Sequence, residues 1–251
     1  MYKINWKLFL FVVFAFVFVT VLAIIQITTN IGFEIIVLPQ FAPALAYLLT
    51  ILLFKDLFKP IKINFNKIVF VKAFIAIIFP LALFILTCCI GVLVGIDVKL
   101  KDNLFSIIIA GLIAIIIGAT AEEIGWRSFF QPTLEQKYSV LMSSLIVGFV
   151  WGIWHIAYFR NGIIFMSGFL IFTISYSIII AFLLRNTQFN IIISSLFHVS
   201  INIGFAIFFT DGFTDGVGNI KLFLINGFVW LIAAIVITLS NKNYYLKNKY
   251  E

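Results

Sequence analysis

The stretch Ala121-Glu122-Glu123-Ile124-Gly125-Trp126-Arg127 decides how this chain is read. It closes an apolar run, Ile107 to Ala121, that contains no charged residue. Two adjacent carboxylates follow, and an arginine stands four residues after the second. At membrane depth each ionisable side chain costs about 2.5–3.5 kcal/mol on insertion scales, so such groups mark function. On a helix Glu123 and Arg127 lie one turn apart on one face and can pair. Glu122 projects about 100° away and need not share that partner. The two carboxylates therefore divide into an ionised, structural one and one suited to general-base work. The alternative is a pair of ordinary interfacial charges at a helix end.

The rest of the chain supplies the apolar setting. Of 251 residues, 63% are apolar and only 11% charged, and mean hydropathy is +1.19. Soluble domains carry about a quarter charged residues, so lipid is the solvent. The net charge of +7 is explained by loop lysines beside anionic headgroups; no nucleic-acid partner is implied. Cys88 and Cys89 are adjacent, a poor disulfide pair without metal-ligand spacing, and read as buried thiols.

Apolar runs predict an all-α, polytopic membrane helix bundle of about eight transmembrane helices, one domain over 1–251. The expected spans are Leu8–Ile27, Ile35–Phe54, Ile68–Ile96, Leu104–Trp126, Val140–Phe159, Ile163–Leu184, Phe189–Phe209 and Leu222–Leu239. The first run, after Lys3 and Lys7, is about 20 residues, long enough to span and longer than a signal core, so it is expected to be retained. Pro39 and Pro43 should kink the start of helix two, and Pro80 interrupts helix three. Arg127 to Tyr138 is expected to be a polar connector in the interface. Eight spans put both termini on one side. Only Lys99, Lys101, Arg160 and Lys221 of the seventeen basic residues fall opposite, with Glu34, Asp97, Asp102, Asp211 and Asp215. The terminal side keeps the other basic residues, Lys247 and Lys249 of the tail among them. The positive-inside rule then places both termini in the cytoplasm of a multi-pass protein of the cell membrane.

Two polar sites echo the carboxylates downstream. His155 follows Trp151-Gly152-Ile153-Trp154, and His198 stands four residues before Asn202 on one helix face. Taken alone, His155 reads as a hydrogen-bonded core histidine between belt tryptophans, and His198/Asn202 as a helix–helix hydrogen bond. Taken together the set supplies a carboxylate base, a histidine to orient water and two donors for an oxyanion, the parts of amide hydrolysis.

Glu122-Glu123-x-x-x-Arg127, Trp151-x-x-x-His155 and His198-x-x-x-Asn202, in this order on three helices, resemble the CPBP family of Abi or CAAX-protease-like intramembrane endopeptidases. Phe41-Ala42-Pro43-Ala44-Leu45-Ala46 resembles a segment of its bacterial members, so the resemblance covers a core of about 41–202. It implies a glutamate-dependent intramembrane endopeptidase. Glu122 matches the general base and His155 the water-positioning residue. His198 and Asn202 match the oxyanion donors, with Glu123 and Arg127 supporting. The second motif usually begins with Phe, here Trp151, and Ala157 replaces a frequent proline. The implied partner is a peptide or membrane-protein substrate, lipidated or not, in the bilayer. Implied roles include peptide maturation and bacteriocin self-immunity.

No cofactor is expected. The alternative is Zn²⁺ on Glu122, His155 and His198, although no His-Glu-x-x-His is present and asparagine is a poor zinc ligand. A catalytically inactive immunity or scaffold protein is the second functional reading. A transporter is the third, disfavoured because no internal repeat is visible. One tension remains in the expected spans. Counted from the terminal side, Glu122 lies about 10–15 Å deep, His198 about 12 Å and His155 about 25 Å. They meet only if Tyr138–Ser144 extends below the membrane core or helix five is tilted.

Overall fold

A computed structural model describes residues 3–98, 104–209 and 220–246. Lys99, Lys101, Asp102, Asp211, Asp215, Lys247 and Lys249, used above for the charge bias, lie outside the described residues. The described chain is an all-α bundle. Its helices are α1 (Lys3–Thr28), α2 (Ala42–Leu53), α3 (Lys67–Leu93), α4 (Leu104–Gly125), α5 (Gln131–Leu134), α6 (Val140–Trp154), α7 (Ile163–Leu184), α8 (Ile191–Phe208), α9 (Ile220–Ser240) and α10 (Lys242–Leu246). Five helical segments are long and apolar enough to cross a bilayer, and three shorter apolar ones, Leu38–Leu53, Val140–Trp154 and Ile191–Ile207, lie among them. With lipid unable to satisfy backbone groups, helices that bond internally are the natural solution. The protein is a multi-pass membrane protein.

Local chemistry sets the helix starts. Asn66, Ser139 and Asn190 each accept a hydrogen bond from a backbone N–H of the turn they begin, those of Val69, Met142 and Ile192. Pro39 and Pro43 do not kink one continuous helix. Pro39 sits in a 3₁₀ turn, Leu38–Phe41, and Pro43 in the first turn of α2, where a missing N–H leaves no bond unmade. Helix three runs through the buried Pro80.

Two expectations are corrected here. The segment after Arg127 is not an interfacial connector: the chain stays helical through a π turn, Trp126–Phe130, into α5. Trp126 to Gln131 are all buried there, with Phe11 of α1 packed against Trp126, Phe129 and Phe130. The cysteines are not a buried pair either. Cys88 is half-buried and Cys89 exposed on α3.

α7 packs on α9 and α6, α8 on α3 and α4, and α1 on α2. The α6–α7 contact is close because Gly148 and Gly152 present no side chain to α7; a Cβ at Gly148 would stand 2.5 Å from Ile174 Cα. One end of the bundle gathers the segments expected on the terminal side. Lys7 pairs with Asp56 at 2.5 Å, holding that carboxyl below the usual range through the hydrogen bond from its ammonium. Asn190 Nδ2 donates to Asn64 O (2.8 Å), Lys72 Nζ to Arg185 O, and Tyr244 Oη to Ala181 O (2.8 Å).

Candidate active site

The carboxylates are both in the interior, Glu122 1% and Glu123 0% exposed. That removes the interfacial-charge reading: a helix-end charge would keep water. The helix continues for three more turns after them. By the rise per residue Glu122 lies about 18 Å from Leu134, and Trp151 about 17 Å from Val140 at the same end of the bundle. The expected depth of about 10–15 Å counted too few turns after Glu122. With the π turn and α5 added, Glu122 and Trp151 stand level.

The two glutamates have different partners. Glu122 Oε1 accepts from Gln40 Nε2 at 2.9 Å and Oε2 from Trp151 Nε1 at 2.8 Å. Glu123 Oε1 accepts from the Tyr176 hydroxyl and faces His198 Nδ1, both at 2.9 Å. Its Oε2 faces Arg127 Nε at 3.5 Å, the pairing expected one turn along. Arg127 is fully buried. Its guanidinium donates from Nη2 to Ser177 Oγ (3.0 Å) and lies 4.7 Å from the Tyr176 ring centroid and 5.3 Å from that of Trp151. A buried cation is tolerated when paired and packed on π faces in this way.

His155 is half-buried at the C-terminal end of α6, where the helix gives way to a 3₁₀ turn, Ile156–Asn161. Its Nδ1 lies 2.9 Å from Trp151 O. Four rings surround it, those of Trp151, Trp154, Tyr158 and Phe169, with centroids 4.9–5.3 Å away. Since a carbonyl and a carboxylate only accept, both histidines carry hydrogen on Nδ1, leaving Nε2 of each for other partners. Asn202, one turn after His198, is half-buried and makes no hydrogen bond among the described residues.

Trp151 is the hub. Its indole touches Glu122, its ring lies 5.4 Å from that of His198 and 5.3 Å from that of His155, and its carbonyl meets His155. It is no belt residue, and neither is Trp154, whose indole donates to Ala15 O at 3.1 Å. The structure thus brings Glu122, Glu123, Arg127, His155 and His198 into one cluster through Trp151 and Tyr176. Gln40, Tyr176 and Ser177 were not singled out from sequence. Their signal was present: each is a polar residue in an otherwise apolar helical run.

Among the described residues no group of three or more His, Cys, Asp or Glu side chains is arranged to hold a metal ion, and Glu122, His155 and His198 form no such group. Both Glu122 oxygens are already engaged by N–H donors.

Fold and site together define a polytopic helical membrane protein with a buried carboxylate–imidazole–arginine centre. Comparison with known proteins places it further. Residues 102–204 match the family described as type II CAAX prenyl endopeptidase Rce1-like; the matched segment holds Glu122, Glu123, Arg127, Trp151, His155, His198 and Asn202. CAAX prenyl protease 2 of Methanococcus maripaludis is 25% identical over 147 residues, 54% of this chain and 52% of that one. Lysostaphin resistance protein A of Staphylococcus haemolyticus is 25% identical over 245 residues, 93% of this chain and 67% of that one. Its Staphylococcus aureus counterpart is 26% identical over 221 residues, 84% and 52%. The chain spans about half the length of the Methanococcus and S. aureus relatives and about two thirds of the S. haemolyticus one.

Proposed function

We propose that this protein is an intramembrane endopeptidase in which Glu122 activates water to hydrolyse a peptide bond. The observation that carries the reading is the environment of Glu122: a carboxylate buried among helices, each oxygen held by one neutral donor, with two imidazoles ranged around the same tryptophan. Each carboxylate oxygen has a second lone-pair site, so Glu122 can still accept from water. His155, with hydrogen fixed on Nδ1, accepts a water proton at Nε2 and orients the oxygen. Glu122 takes the other proton as the oxygen attacks the peptide carbonyl. Asn202 Nδ2 donates to the resulting oxyanion. His198 is the second group at that oxyanion, its ring oriented by the Glu123 carboxylate. Glu122 then returns its proton to the departing amine. Arg127, Tyr176 and Ser177 hold Glu123, and so His198, in place. No step passes through a metal.

The substrate class we infer is a peptide or membrane-protein segment reaching the site from the cytoplasmic face, with both termini of the chain on that side of the cell membrane. The lysine bias and the clustering of Lys7, Asn64, Arg185 and Tyr244 segments at one bundle end support that orientation. The second reading is a resistance or immunity scaffold that binds without cutting; the long match to lysostaphin resistance proteins favours it. Glu122→Gln separates the two. Comparing the membrane peptidomes of a deletion strain and strains carrying either form, products should appear with the wild type and vanish with Glu122→Gln at equal expression. Products that persist in the variant would refute the base role.

A further inference from the structure

Gln40 belongs to none of the three motifs, yet several features of the bundle are shaped around its amide. Its Nε2 reaches Glu122 Oε1 at 2.9 Å from the turn that leads into α2, while Trp151 Nε1 reaches Oε2 at 2.8 Å from α6. Gly118 lies one turn before Glu122, and a Cβ there would stand 1.9 Å from Gln40 Oε1. Gly125, on the same α4 face, abuts the α2 backbone, its would-be Cβ 2.5 Å from Pro43 O. Gln26 secures the segment ahead of Gln40, donating to Ile31 O (2.7 Å) and Ile36 O (2.9 Å) and accepting from Leu38 N (2.7 Å). A slot in α4, a close helix contact and a tethered lead-in all serve the position of one side chain.

We propose that Gln40 and Trp151 are positioning residues for Glu122, a two-sided clamp from separate helices that fixes the plane of the carboxylate and leaves one lone-pair site on each oxygen for water. The proposal rests on the reading of Glu122 as the base. The Trp151 arm is particular to chains with an indole at this position; phenylalanine, usual in the motif, has no N–H to give.

The test uses the purified full chain in lipid nanodiscs and dicyclohexylcarbodiimide, a hydrophobic reagent that adds to carboxyl groups, with adducts at Glu122 and Glu123 quantified by mass spectrometry at one pH. Gln40→Met or Trp151→Phe should raise Glu122 labelling about tenfold or more, the scale of one lost hydrogen bond to a charged group. Glu123, held by Tyr176 and His198, should label as before. Gly118→Ala should reproduce Gln40→Met, and the two together should add nothing, since both remove the same contact. Unchanged Glu122 labelling in the single variants overturns the clamp. So does labelling that rises at both glutamates, which reports general loosening. Where a Glu122-dependent product is available, the clamp variants should lower kcat about tenfold or more at unchanged KM. Labelling does not depend on cleavage, so absence of any product in the wild type counts against the protease reading alone.

Discussion

Replacing Gly148 by alanine tests whether the α6–α7 contact sets the site. The added Cβ would lie 2.5 Å from Ile174 Cα and 2.8 Å from Thr173 O, both backbone atoms of α7. Non-bonded carbons rest about 3.5–4.0 Å apart, so α6 must withdraw by about 1 Å or more. Backbone cannot swing aside as a side-chain tip can. Overpacking of this kind costs about 1–3 kcal/mol. Trp151 lies three residues on, and its 2.8 Å bond to Glu122 would stretch to about 3.8 Å, beyond hydrogen-bond range. A 1 Å misplacement can lower turnover about 100-fold. The expected outcome for Gly148→Ala in nanodiscs is a lower unfolding temperature and about 100-fold less Glu122-dependent product. Gly111→Ala, whose Cβ would meet nothing nearer than Ile115 Cδ1 at 3.9 Å, should match the wild type in both. Wild-type stability and rate in Gly148→Ala would refute the argument that this glycine contact positions the site.

Other perturbations separate stability from chemistry. Arg127→Met strands the buried Glu123 charge and should destabilise by about 3–5 kcal/mol in denaturation assays; Glu123→Gln in the same chain should recover part of that loss. Asn202→Ala removes no hydrogen bond from the described fold, so thermal stability should hold while kcat falls about 10²–10³-fold. Chelation should leave product formation unchanged, because no metal-holding group is formed by the described acidic, histidine and cysteine side chains. Loss of activity with chelator, restored by Zn²⁺, would contradict the metal-free mechanism.

Much of this architecture was legible because lipid imposes a simple rule on sequence: long apolar runs become helices, and ionisable residues inside them stand out. Ile163–Leu184 was read to the residue, and the other expected spans overlap observed helices throughout. The bound at Trp126 failed for a physical reason. Arg127 and Gln131 look like surface residues by composition, yet Arg127 is buried by pairing with Glu123, one turn away, and by the rings of Trp151 and Tyr176, which come from helices far along the chain.

The amino-acid order by itself determined that this is a helical membrane protein, that its three motifs fall on three separate apolar segments, and that Glu122 and Glu123 must face different directions. What it could not assign was the neighbour each one meets. Tertiary packing gave Glu122 to Gln40 and Trp151 and gave Glu123 to Tyr176, His198 and Arg127. A one-residue step turns a side chain by about 100°, a local fact, but which helix fills that direction depends on crossings fixed by glycines and aromatic rings far along the chain.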